Sequence, residues 1–219
     1  MSRESDTRLI DITVTFVKNQ LTHAEGGHDW HHIERVWKLA KTIASKYECD
    51  KTVVELGALL HDIADSKFYN GDETIGPQIA GKFLMDQKVD ESIISQIDFI
   101  IRNISFKNRG DVVEMPIELQ IVQDADSIDA LGAIGIARCF NFGGFKGNPM
   151  HIPGVEPNMN QTKQEYKKSN GTSINHFYEK LFLLKDMMNT DEGRSLAAAR
   201  HKYMEGFVEQ FMSEWNGEV

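Results

Sequence analysis

An apolar helical run, Val53-Val54-Glu55-Leu56-Gly57-Ala58-Leu59-Leu60, leads straight into His61-Asp62. An imidazole beside a carboxylate is expensive to bury unless the two are paired or hold a cation. Residues 61 and 62 lie about 100° apart on a helix, so both can converge on one point beside its axis. On their own they fit an ordinary helix-end ion pair as well as a ligand pair. His32 opens an earlier amphipathic segment, Asp29-Trp30-His31-His32-Ile33-Glu34-Arg35-Val36. Asp124, Asp126 and Asp129 lie on a third segment that otherwise reads as core, with Asp126 at the border of its apolar face. One His, a His-Asp pair and one Asp from three helices supply two nitrogens and two oxygens. Such a set suits Mn, Fe, Co, Ni or Zn, with coordination left open for water and substrate.

The elements that must carry these donors read as helices. Ile10, Val14, Val17 and Leu21 recur at steps of four, three and four, with a strand as the lesser alternative because the segment is rich in β-branched residues. Asp29 and Asp50 are N-cap candidates for the next two helices, and the first of these buries Ile33, Val36, Ala40, Ile43 and Tyr47. Pro77 sits just inside a fourth helix. Asp90 precedes an isoleucine stripe from Ile93 to Ile104, and Pro116 opens a helix expected to run through Leu119, Val122, Ala125, Ile128, Leu131 and Ile134. From Phe142 to about Ser173 the chain holds three of its five prolines and no sustained periodicity, which predicts a long irregular loop or lid over 142–173. Two helices then close the chain, one through Phe177, Leu181 and Leu184, the other through Leu196, Tyr203, Phe207 and Phe211. The expected architecture is one all-α domain over 1–219, with its motif core at about 29–138.

Composition narrows the function classes. With 24 Lys+Arg against 33 Asp+Glu, the net charge of −9 argues against a duplex nucleic acid partner. No apolar run is long enough for a membrane span, and the first residues, MSRESDTRLI, lack a secretory apolar stretch. Cys49 and Cys139 are too few for a disulfide framework and read as buried thiols in a reducing cytoplasm.

The order His32, His61-Asp62, Asp126 resembles the H…HD…D signature of the HD-domain metal-dependent phosphohydrolases. His32-Ile33-Glu34-Arg35-Val36 is similar to the family's H-x-x-R-V opening, and Ala125-Asp126-Ser127-Ile128-Asp129 to its A-D-R-L-D closing motif. The resemblance runs from about Asp29 to Arg138. Gly-Ala-Ile-Gly-Ile-Ala-Arg after the last motif and Asn-Phe-Gly-Gly-Phe-Lys-Gly beyond it look like the stand-alone bacterial members, which include nucleoside-triphosphate pyrophosphohydrolases. Ser127 departs from the family's usual Arg, so no phosphate contact is expected there. The histidines are too few for the family's two-metal pattern. The resemblance therefore implies one divalent ion, Mn first, with Fe, Co, Ni, Zn or Mg as alternatives.

It also implies roles around that ion. Asp65 matches an acidic position that several members keep for proton transfer, with a solvated carboxylate as the plain alternative. Lys67 can reach phosphate oxygens as a point charge. Arg35, three residues after His32, either braces a ligand, holds phosphate or forms an intrahelical salt bridge. Asp129 either orients a ligand or water, or caps a loop. Arg138 and Lys146 flank the glycine-rich Phe140–Gly147 stretch, whose backbone can approach an anion, as in a phosphate-facing loop. His31 reads as a surface residue or a support behind His32, and His28 as a surface residue or substrate contact. The expected activity is hydrolysis of a nucleotide phosphate ester or anhydride, chiefly a (deoxy)nucleoside triphosphate to monophosphate and pyrophosphate. A non-catalytic metal- or nucleotide-binding sensor and other nucleotidase or phosphodiesterase specificities are the alternatives; a dinuclear iron oxygenase would need further histidines. A homodimer through the first or last helices is compatible with the sequence.

Overall fold

Asp29 begins the helix that bears the first candidate ligand: its carboxylate accepts from the His32 backbone N–H at 2.9 Å, filling an otherwise orphaned donor. Asp50 does the same for the next helix, accepting from the N–H groups of Thr52 and Val53. The structure, a computed structural model, describes residues 3–22, 29–64, 72–104, 115–159 and 171–218. Among them every regular element is helical.

The chain divides into two compact units, Met1–Asp126 and Ser127–Val219. The first contains α1 (Arg3–Gln20), α2 (Trp30–Ala44), α3 (Lys51–Leu60), α4 (Ile75–Asp86), α5 (Glu91–Asn103) and most of α6 (Ile117–Asp129). Helix α3 is the axis of this unit and packs on α1, α2 and α5. Its apolar residues on nearly every side follow from that position: Val53, Val54, Leu56, Ala58, Leu59 and Leu60 are all fully buried. The α2 stripe of Ile33, Val36, Ala40 and Ile43 is fully buried as well. Trp37 adds a polar tie between α2 and α3, donating its indole N–H to Glu55 at 2.8 Å.

The second unit holds the last turn of α6, α7 (Gly132–Lys146), α8 (Ser173–Glu179), a 3₁₀ helix (Leu181–Met187) and α9 (Asp191–Asn216). Phe177 is fully buried at the centre of an aromatic cluster with Phe140, Phe182 and Phe207, at centroid distances of 6.0–6.1 Å. Arg200 of α9 donates to the Ile128 carbonyl at 2.7 Å, and Arg138 of α7 binds Asp129, so two guanidiniums finish the C-terminal turn of α6.

Three expectations need correction. The helix expected through Ile134 stops at Asp129: Gly132 takes φ +73°, a new helix starts, and Ile134 is left 41% exposed on α7. The irregular stretch begins at Gly147 rather than Phe142, because α7 accommodates Gly143 and Gly144 and ends at a left-handed Gly147. The Asn148 N–H closes that end on the Gly143 carbonyl at 2.8 Å. The helix expected through Phe177, Leu181 and Leu184 breaks at Lys180, at φ −143°, and continues as the 3₁₀ segment. Both cysteines are free and half-buried, and burial pushes the Cys139 thiol up to about 12.

Candidate metal centre

His32, His61 and Asp126 come together, each offering one ligand atom, with all three atoms within 4.8 Å of one another. Nε2 of His32 lies 3.4 Å from the Asp126 carboxylate, and Nε2 of His61 lies 3.8 Å from the same oxygen. The two imidazoles meet edge to face at a centroid separation of 5.4 Å. Metal–ligand bonds of about 2.0–2.2 Å put neighbouring donors about 3–3.5 Å apart, close to the distances found here. Both histidines are buried, whereas Asp126 is half-buried, so the cluster is open on its carboxylate side.

Each donor owes its place to a local device. His32 is the third residue of α2, fixed by the Asp29 cap. His61 is the C-cap of α3, and its ring folds back over the preceding turn so that Nδ1 lies 2.8 Å from the Ala58 carbonyl. A nitrogen facing a carbonyl must carry the proton, so Nε2 is the ring's lone-pair nitrogen and points at Asp126. That Nε2 is buried and has no hydrogen-bond partner among the described residues. Leaving it unsatisfied costs about 1–3 kcal/mol, a cost that a cation between it and the carboxylate removes. The residues therefore fit a divalent metal: two imidazole nitrogens and one carboxylate.

Other expected site residues are placed as follows. Asp62, next to His61, is half-buried and stands outside the set of three mutually close ligand atoms. Arg35 is half-buried on α2, and His31 is exposed, 3.8 Å from Glu34. Asp124 and Asp129 are almost fully buried. Asp129 holds Arg138 in a 2.6 Å ion pair, so the Arg138 guanidinium braces the end of α6. Lys146 lies over the rings of Phe142 and Phe145, which are themselves exposed. Asp65, Lys67 and His28 fall outside the described residues. Reading side-chain types misses the Ala58 carbonyl, a backbone group; the available signal is that the last turn of any helix has free carbonyls for a C-cap imidazole to find.

Comparison with known proteins finds relatives that span nearly the whole chain. Residues 29–131 match the family model of the HD domain. An HD-superfamily hydrolase from Bacillus thuringiensis is 42% identical, with a TM-score of 0.78 over 96% of this chain and 98% of its own. Bacillus subtilis YpgQ, described as an uncharacterized protein, is 37% identical over 207 residues, 93% of this chain and 92% of its own. The crystal structure of YpgQ in complex with ADP matches with a TM-score of 0.76 over 96% of both chains.

Proposed function

The chain belongs to the HD-domain phosphohydrolase superfamily, and from that premise we propose that it is a metal-dependent hydrolase of nucleotides, converting a (deoxy)nucleoside triphosphate to the monophosphate and pyrophosphate. The observation that carries the reading is the unpartnered, buried Nε2 of His61, aimed at Asp126 with His32 alongside. The nucleotide class is supported by the similarity to YpgQ, whose structure holds ADP.

In this reading His32, His61 and Asp126 hold one divalent ion, with Asp62 as the fourth ligand. Mn is the first expectation, because two imidazoles and two carboxylates are a borderline-to-hard ligand set. Once bound, such an ion lowers the pKa of a coordinated water and polarises a phosphoryl oxygen. The remaining work falls to the chain's own groups. Asp65 takes the proton from the attacking water or returns it to the leaving oxygen. Lys67 and Arg35 offset the negative charge of the phosphates, Lys67 as a point charge and Arg35 as a planar fork.

The test is a panel of ribo- and deoxyribonucleoside tri-, di- and monophosphates with Mn²⁺, Mg²⁺, Co²⁺ and Zn²⁺, the products being identified. Metal-dependent pyrophosphate release from a triphosphate is expected. Sequential release of single phosphates would replace the pyrophosphohydrolase reading with a nucleotidase one. Metal and nucleotide binding without turnover would make the protein a sensor.

A further inference from the structure

We infer that Gly57 is a positioning residue for this metal centre: its lack of a side chain sets how closely α3 approaches α5 and α6, and so the distance from His61 to Asp126. The inference rests on the metal-centre reading above and extends it to a residue that touches neither metal nor substrate.

Gly57 lies in the middle of α3 and is buried. A Cβ built there would meet Ile100 Cδ1 of α5 at 3.0 Å and Ile100 Cγ2 at 3.3 Å, with Val122 Cγ2 of α6 at 3.6 Å. Ile100 and Val122 are themselves fully enclosed, so neither has free space to retreat into. A methyl at position 57 therefore requires a shift of a few tenths of an ångström between α3 and the Ile100 side chain.

The register makes that push matter. His61 is four residues after Gly57, and Asp126 is four residues after Val122. The two contacts are thus the same step of one helical turn below the two ligands, on the faces that the ligands share. Side chains on a helix lean toward its N-terminus, so the His61 ring stands over the turn that contains Gly57. The bond from His61 Nδ1 to the Ala58 carbonyl then couples the ring to the α3 backbone. A displacement of α3 is carried to Nε2 rather than absorbed by the ring. On the facing side, Gln123 is buried and donates to the Asn103 carbonyl at 2.7 Å, tying α6 to the end of α5 in the same region. Helix α6 is thus tied to the end of α5 there, so a shift at the Gly57 contact changes the spacing between α3 and α6. Glycine is a poorer helix former than alanine, so its place in this apolar run calls for a packing reason, and close helix approach supplies one.

The experiment measures Mn²⁺ affinity by titration calorimetry and Co²⁺ coordination by visible absorption, on the full chain, alongside helix content and Tm. Gly57→Ala should keep its helix content yet bind Mn²⁺ about 10-fold or more weakly, the scale on which groups that orient ligands act. Its Co²⁺ spectrum should change. Gly57→Ala combined with Ile100→Val, which removes the atom met first, should recover both readings, a rescue that a general loss of stability would not give. Should Gly57→Ala fail to fold, Val122→Ile enlarges the same contact from the other side and carries the same expectation. Wild-type Mn²⁺ affinity and an unchanged Co²⁺ spectrum in a folded variant overturn the inference, as does a folded double variant that recovers neither. A wild type that takes up no metal overturns the centre itself, and this inference with it.

Discussion

The His61 ring is held in one tautomer by a backbone carbonyl, and what remains is a lone pair with no hydrogen-bond partner among the described residues. A buried acceptor of that kind is stable only when something positive or donating is supplied to it. His61→Ala removes it, and the expected result is a folded protein with little or no bound metal by elemental analysis. Metal content equal to that of the wild type would refute the ligand set. Asp65 carries a different expectation, because proton transfer and ligation are separable. Asp65→Asn keeps the shape and removes the proton-accepting charge, so kcat should fall by about 10²–10⁴-fold with metal still bound and KM little changed. Near-normal turnover at full metal occupancy would end that assignment. The grouping of His32, His61 and Asp126 was legible because a metal would demand particular atoms, and these residues carry such atoms in their side chains. The Ala58 carbonyl was not, since every residue has one and only the helix end decides which is free.

Helix ends divide into those the sequence declares and those that packing decides. Asp29 and Asp50 are declared, because a short carboxylate before an apolar period has one good use there. The end of α6 is hidden. Ile128, Leu131 and Ile134 keep a three-residue step straight across it, while the chain turns at Gly132 to begin α7. Gly135 makes that turn possible: a Cβ there would overlap the Ala130 carbonyl. The turn is closed by Asp129, 1% exposed, with Arg138 at 2.6 Å. Arg138→Met should therefore destabilise by roughly 2–4 kcal/mol, the cost of taking the guanidinium partner from a buried carboxylate, reduced for the partial exposure of the arginine. Adding Asp129→Asn should return much of that loss. Denaturant melts of the two variants check this, and an unchanged midpoint in Arg138→Met would show that the pair contributes nothing to the turn.

At the level of the whole chain, the all-α class follows from periodicity that is helical in almost every segment, and no helix among the described residues is long and apolar enough to cross a membrane. The division at Asp126–Ser127 had no compositional mark because it falls inside a helix rather than at a linker. Stability against acid is a property of the whole molecule, and two processes feed it. Imidazoles must be neutral to ligate a metal, so acid strips the ion and removes whatever stability its binding supplies. Independently, burial pushes His176 down to about 4, with the nearby charge of Lys180 acting in the same direction. Above about pH 6.5 His176 is neutral in both the folded and the unfolded chain and makes no difference to stability. As the pH falls from about 6.5 to about 4, the unfolded chain takes up this proton and the folded one does not, so stability drops across that window and then levels. At about 1.4 kcal/mol per unit the loss is at most about 3.5 kcal/mol, and less because the half-buried ring keeps some contact with water. With metal removed by a chelator, the wild type should lose more stability between about pH 6.5 and pH 4 than His176→Gln does, since glutamine cannot titrate. Parallel pH profiles for the two metal-free proteins would show that the His176 proton is not linked to folding.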